Sequence, residues 1–432
     1  MLVKHVITDN ITKNVKIRRV SVRKTEPTTP IPQVTVIQPV ESPPPPPRWK
    51  HLPTASEFDV YRLGEVFTGR RVMITNIGLD IGTKTVVIAY RNDDKVNYIA
   101  EINGYWVFQR RNKFIESLLN DPNKIRSDGT KRPARWIPLD DKAIVLGKDA
   151  EEMAYAQNDT MRRPMAEGSI SADEEAMTVL ASIVQGLIET AETEIGKFDK
   201  NVSICYCTTA PAINKPINMD YHERVVNMIV DGYETKSHIK RSAIRESHAI
   251  VLDMDEGDGT GIGISWGAGT VTVSYVKSGL EIYSFCYVGA GDWIDEQVAI
   301  RHGYDPNSRK RSAETPTTVS KRKTEIDLTP GLEQNSRIDL DLTLHYDVLI
   351  NKVITGIVAG FRDNEANARI DGAINVYMAG GTSSPNGFVE RVSARFAEHD
   401  LPFEIGSLKR SDKPLYCVAS GCLKAAEYGI TD

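Results

Sequence analysis

The sequence predicts an α/β fold, and two observations carry that prediction. From Arg71 onward, strand-like apolar runs alternate with helical ones, as in sheets covered by helices. Three of the strands end in glycine-bearing turns, "DIGTK" at 80–84, "GAGT" at 267–270 and "GGT" at 380–382.

The elements follow in chain order. A strand over 72–79 brings Ile77 and Leu79 to the first turn, and a second over 85–90 leaves it through Val86, Val87, Ile88 and Ala89. The clearest helix starts near 171. Its apolar residues Met177, Leu180, Ile183, Val184, Leu187, Ile188, Ala191 and Ile195 recur at three- and four-residue steps, the stripe of a helix packed on a core. Ser171, with Glu174 three residues on, reads as its capping box. Further strands are predicted over 202–207, 262–266, 271–276 and 374–378, with a helix from Phe388 to Val392 after the third turn.

Two segments stand outside this alternation. Residues 1–70 concentrate proline and include five consecutive prolines at 43–47, which favours extended polyproline II and cannot bury a core. They are predicted to be a disordered arm. Its basic residues Lys13, Lys16, Arg18, Arg19, Arg23 and Lys24 offer a contact for an anionic surface or a protein partner. The polar stretch 304–335, with basic triplets at 309–311 and 321–323, reads as a solvated loop rather than a nuclear-localisation signal.

Composition narrows the class. The 432 residues are 41% hydrophobic and 26% charged, near the soluble average, and no apolar run approaches the ~18 residues of a bilayer span. A net charge of −5 is too small to call for nucleic acid as an obligate partner. The amino terminus lacks the apolar core of a secretory signal, which predicts a cytoplasmic protein. Five cysteines, an odd number, read as reduced core thiols. Cys205 and Cys207 are expected to face opposite ways and to form neither a disulfide nor a metal pair.

The turns carry the chemistry. In "NIGLDIGTKTVVIAY" the first offers backbone N–H groups, the hydroxyls of Thr83 and Thr85 and the Lys84 ammonium to an anion. Asp80 repels phosphate but can hold a hydrated Mg²⁺. A carboxylate for the metal beside donors for phosphate is what a nucleoside triphosphate needs. "GIGISWGAGTVTVSY" repeats the strand–turn–strand pattern about 185 residues later, suggesting two similar domains facing one nucleotide. In "INVYMAGGTSSPNGFVERV", Gly380 and Gly381 remove side chains where a base or ribose would approach.

This order of turns resembles the actin-like ATPase superfamily, in particular the MreB and MamK-like filament proteins. The resemblance extends to "VLGKDAEEM", "RRPMAEGSISADEEAM", "GDWIDEQVA" and the closing "KPLYCVASGCLKAAE", and covers about 72–432. It implies a two-lobed, ribonuclease H-like ATPase fold, with lobe I formed by 71–258 and 412–432 and lobe II by 259–411. ATP or ADP with Mg²⁺ would lie between them. Asp80, Gly82, Thr83 and Lys84 would meet the phosphates and metal, and Gly267, Gly269 and Thr270 would close from the other lobe. Gly380, Gly381 and Thr382 would hold the adenosine, with Lys323 and Glu325 near the ribose. Glu223, in "NKPINMDYHERVVNMIV", stands where relatives keep the acidic residue that positions the attacking water.

One departure matters. Relatives carry Asp ahead of the second turn's glycines, and here that position is Ser265. A serine brings no charge, so weaker metal binding and slow or absent hydrolysis are expected. The function implied is a cytoskeletal ATPase that polymerises head to tail. The alternatives are a non-hydrolysing nucleotide-gated scaffold, a heat-shock-type chaperone ATPase, for which no β-rich substrate domain follows the closing helix, and a metabolite kinase, for which no acceptor-site motif is found.

Overall fold

The computed structural model describes residues 74–431 except 93, 127–128, 158, 196–197, 232–237, 308–313 and 365–371. The arm and the basic triplet at 309–311 lie outside the described residues.

The chain opens with β1 (Ile74–Ile81), β2 (Thr85–Asn92) and β3 (Lys95–Ile102), an antiparallel meander. After a small three-stranded sheet built from Tyr105–Phe108, Trp136–Leu139 and Lys142–Leu146, and a short hairpin at Met165–Ala166 and Ser169–Ile170, comes α1 (Glu174–Ile195). Then follow β4 (Phe198–Thr208), α2 (Met219–Asp231), β5 (His238–Arg245) and α3 (Glu246–Met254). β4 runs parallel to β1, and β5 parallel to β4, giving the order β5-β4-β1-β2-β3.

The second half repeats this plan. β6 (Gly261–Trp266), β7 (Thr270–Lys277) and β8 (Leu280–Val288) form an antiparallel meander. Three helices follow, α4 (Gly291–Arg301), α5 (Pro316–Glu325) and α6 (Arg337–Asp363). β9 (Ile374–Ala379) returns parallel to β6, and after α7 (Phe388–Phe396), β10 (Ile405–Arg410) lies parallel to β9. The order is β8-β7-β6-β9-β10. Last comes α8 (Cys417–Tyr428), which packs on α3 and on β1, while α3 packs on β6. The two helices thus form the layer between the sheets.

Burial explains the helices. α1 turns Met177, Leu180, Val184, Leu187, Ile188 and Ala191 inward and packs on β2 and β3, as its stripe predicts. α6 is the one described helix long and apolar enough to cross a bilayer. Its face of Leu342, Tyr346, Leu349, Ile350, Val353, Ile354, Ile357 and Phe361 is instead buried in the second lobe's core, beside Trp266 and Phe388. Each fully buried large apolar side chain there contributes about 1.5–3 kcal/mol.

Three expectations change. The cap of α1 is Asp173: its Oδ2 accepts from the Ala176 N–H at 3.3 Å, while the Ser171 hydroxyl accepts from the Asp173 N–H at 3.2 Å. The polar stretch 304–335 contains a helix, α5, started by Thr315 and Thr318 in a reciprocal capping box with Pro316 behind the cap, and only Val319 and Lys323 of it are buried. Cys205 and Cys207 share a face, because strand side chains alternate residue by residue. Both join Cys417 and Cys422 in one core cluster, and all five cysteines are buried and outside any disulfide.

Candidate functional site

The strand ends of both sheets converge on one cleft. Asp80, Gly82, Thr83, Lys84, Gly267, Gly269, Thr270, Lys323, Gly380, Gly381 and Thr382 all line it, together with Ser265. Its volume is about 280 Å³, at the low end for a ligand site. A larger groove of about 810 Å³, walled by Asp253, Asp255, Glu256, Tyr377, Lys409 and Lys413, holds none of these residues.

The lobes meet closely. Lys84, on the first turn, donates through Nζ to the Ser320 hydroxyl of α5 at 2.9 Å. Arg163 pairs with Asp292 at the start of α4, at 2.6 Å. A Cβ on Gly269 would stand 2.6 Å from the Thr83 hydroxyl and 2.8 Å from the Gly168 nitrogen, so this crossing excludes any side chain. Gly380 has φ +97° and a Cβ there would run into the Trp266 carbonyl, which leaves glycine alone able to turn β9 into the third loop. The Thr382 hydroxyl then donates to the Gly267 carbonyl at 2.7 Å, and the Tyr346 hydroxyl to the Thr382 carbonyl at 3.0 Å.

The charge centre holds more carboxylate than expected. Asp80 is pushed up to about 6 by burial, against which a hydrogen bond from the Cys207 thiol pulls down. Glu246, the first residue of α3, is pushed up to about 8, by burial first and then by the charge of Asp80, with bonds from Ser265 and Thr272 opposing. The serine that replaces the expected aspartate therefore serves a glutamate. Burial also raises Asp295 and lowers Lys323. These two pair at 2.7 Å, and Lys323 Nζ donates to the Gly291 carbonyl at 2.6 Å. The Cys207 thiol is held well above its ordinary range by burial, then by Asp80.

Two predicted residues lie elsewhere. Glu223 is not among the cleft residues. The helical period of α2 turns His222, Val225, Val226 and Ile229 inward and leaves Glu223 half exposed beside Tyr206. Glu325 ends α5 on its exposed side, two residues past the inward Lys323. Sequence reasoning missed Glu246, Asp292, Asp295, Ser320 and Leu415. The Gly-Asp-x-x-Asp match in "GDWIDEQVA" marked the segment of Asp292 and Asp295. No local pattern marked Glu246.

The donor set fits a metal–nucleotide. Two half-buried carboxylates with raised protonation gain most from a cation's charge, and around them stand hydroxyls, backbone amides and Lys84 suited to phosphate. Among the described residues no three His, Cys, Asp or Glu side chains form a metal cluster.

Comparison with known proteins agrees on the fold. MreB5 of Spiroplasma citri bound to ADP is 16% identical, with a TM-score of 0.52 over 83% of this chain and 98% of that one. A non-polymerising MamK mutant bound to AMPPNP is 16% identical (TM-score 0.48, 83% and 100% covered). The ethanolamine utilization protein EutJ from Carboxydothermus hydrogenoformans is 14% identical (TM-score 0.45, 80% and 89%). No curated protein matches the sequence. The fold is that of an actin-like ATPase. Residues 75–426 match the volactin family across most of the chain, and the protein belongs to that family.

Proposed function

We propose that the protein is a cytoplasmic, nucleotide-dependent filament protein that binds ATP or ADP with Mg²⁺ in the cleft, hydrolyses ATP slowly and assembles head to tail, in cell shape, organelle or DNA positioning. The observation that carries this is the meeting, in one cleft, of three glycine turns from distant parts of the chain. In this reading lobe I is 71–258 with 412–432, and lobe II is 259–411. Asp80 would hold the cation through water, Thr83, Lys84, Gly267, Gly269 and Thr270 would meet the phosphates, and Gly380, Gly381 and Thr382 the adenosine.

Bound Mg²⁺ would supply charge neutralisation of the phosphates. Glu246, rather than Glu223, is the residue to orient the attacking water, since it stands in the cleft beside Asp80. Burial raises its carboxyl to about 8, so it takes a proton from water poorly unless a cation's charge lowers it. The same observation favours the second reading, a nucleotide-gated scaffold without turnover.

Mg²⁺-ATP turnover measured beside pelleting and negative-stain microscopy tests both. Polymer with slow turnover supports the first reading, and polymer without turnover the second. A monomer that hydrolyses ATP or phosphorylates a metabolite overturns both, and calorimetry showing no nucleotide binding removes the cleft's role altogether.

A further inference from the structure

We propose that Cys207 is a positioning residue for Asp80: its thiol, 3.2 Å from Oδ1 of that carboxylate, fixes the orientation in which Asp80 meets a cation in the cleft. The role rests on the nucleotide reading above. β4 runs parallel to β1 with Leu79 opposite Tyr206, and the next step sets Cys207 beside Asp80. Cys207 is 1% exposed, so water does not compete for the carboxylate oxygen on that side. The thiol is a donor with few alternatives. It occupies Oδ1 and restricts rotation of a short side chain at the strand end, the way an outer partner orients a metal-ligating group.

The duplicated plan of the molecule supplies a control. In the second sheet Ser265 stands where Asp80 stands in the first, and its neighbour on the parallel strand is Ala379. There the neighbour has no donor. A buried cysteine is ordinarily a small apolar filler, and Val or Ala would serve that purpose equally. A thiol stands beside the carboxylate, and a methyl beside the hydroxyl.

The test compares Cys207→Val, which keeps an apolar side chain of similar size, with Cys207→Ser, which keeps a donor. Nucleotide affinity is measured with and without Mg²⁺. The expected result for Cys207→Val is a Mg²⁺-dependent affinity lowered about tenfold with metal-free affinity unchanged, and for Cys207→Ser most of the wild-type value. Equal losses with and without Mg²⁺, or no loss in Cys207→Val, overturn the proposal. The infrared S–H band of Cys207, identified by its disappearance in Cys207→Val, is expected to move to higher frequency in Asp80→Ala, and a band that stays in place also overturns it. A wild-type chain that binds no nucleotide overturns the functional reading and this role with it. The band, read without nucleotide, then reports whether the thiol–carboxylate bond exists, so the two failures are told apart.

Discussion

In the first sheet Asp80 stands two residues ahead of Gly82, and in the second Ser265 stands two residues ahead of Gly267. The backbones are the same: Gly82 N–H donates to the Thr85 carbonyl and Gly267 N–H to the Thr270 carbonyl, each at 3.0 Å. The registers also coincide, Asp80 opposite Val87 and Ser265 opposite Thr272. Gly82 and Thr85 recur as Gly267 and Thr270, while the side chains at the other positions of the two turns differ. Lys84 in one turn is Gly269 in the other, so the first hairpin supplies charge while the second leaves room for Thr83 and the Gly168 backbone. Ser265 adds no carboxylate but bonds one, Glu246, that comes from α3 between the sheets. A repeated backbone has been divided into a charged half and a permissive half.

The comparison breaks first at its carboxylates. Asp80→Ala is expected to lower Mg²⁺-dependent nucleotide affinity about 10–100-fold and leave metal-free affinity nearly unchanged. Glu246→Gln should cut ATP turnover by about 10²-fold or more without weakening binding, as expected for a group that orients water. Steady-state turnover beside equilibrium binding checks both, and unchanged turnover in Glu246→Gln would remove this residue from the mechanism.

Acid should separate the halves next. His222 on α2 is buried with no hydrogen-bond partner for either ring nitrogen, and burial lowers its protonation from 6.5 to about 4. The unfolded chain therefore takes up a proton near pH 6.5 that the folded chain refuses until about 4, and the His222 contribution to stability falls as pH falls through that window, by about 3 kcal/mol in all. In the second half, His302 can pair with Asp341 at 3.0 Å. Asp80 and Glu246, raised to about 6 and about 8, act with the opposite sign over the same window. The His222 share is therefore read as the difference between wild type and His222→Leu in urea denaturation at pH 7 and pH 4.5: on acidification the wild type should lose more stability, or gain less, than the variant.

A smaller effect is expected from making the hairpins alike. Ser265→Asp places a third carboxylate beside Asp80 and Glu246, and should destabilise the metal-free protein by about 1–3 kcal/mol. Added Mg²⁺ should recover part of that in thermal melts, whereas equal stability without metal would mean that Ser265 does not face Glu246. The smallest effect belongs to Glu223→Ala. As a half-exposed residue outside the cleft, it should change stability by no more than about 0.5 kcal/mol and leave turnover where it was.

The glycine turns were legible because they are local: a strand, a turn whose sequence fits only a few backbones, another strand. That is why Asp80, Gly82, Gly267 and Gly380 could be singled out, while their meeting in one cleft was implied by the resemblance of their order to the actin-like proteins. Glu246 was not legible. It begins a short helix, and only the parallel placement of β5 and the packing of α3 on β6 bring it to Asp80. α5 was overlooked because a helix that buries only Val319 and Lys323 has almost no apolar stripe, although Thr315 and Pro316 announced its start. Glu223 misled because a match in sequence position carries no information about which side of α2 faces inward.

The burial of every cysteine has a practical consequence. With all five thiols sequestered, a thiol-reactive dye added to the native protein reads excursions of the fold rather than its resting surface. Cys417 and Cys422 belong to the helix layer between the sheets, and Cys286 to the second sheet. Where reclosing outpaces labelling, the relative rates measure the free energy of opening at each place. Slower labelling of Cys417 and Cys422 than of Cys286 when nucleotide is added would locate the stiffening between the lobes, with no engineered probe.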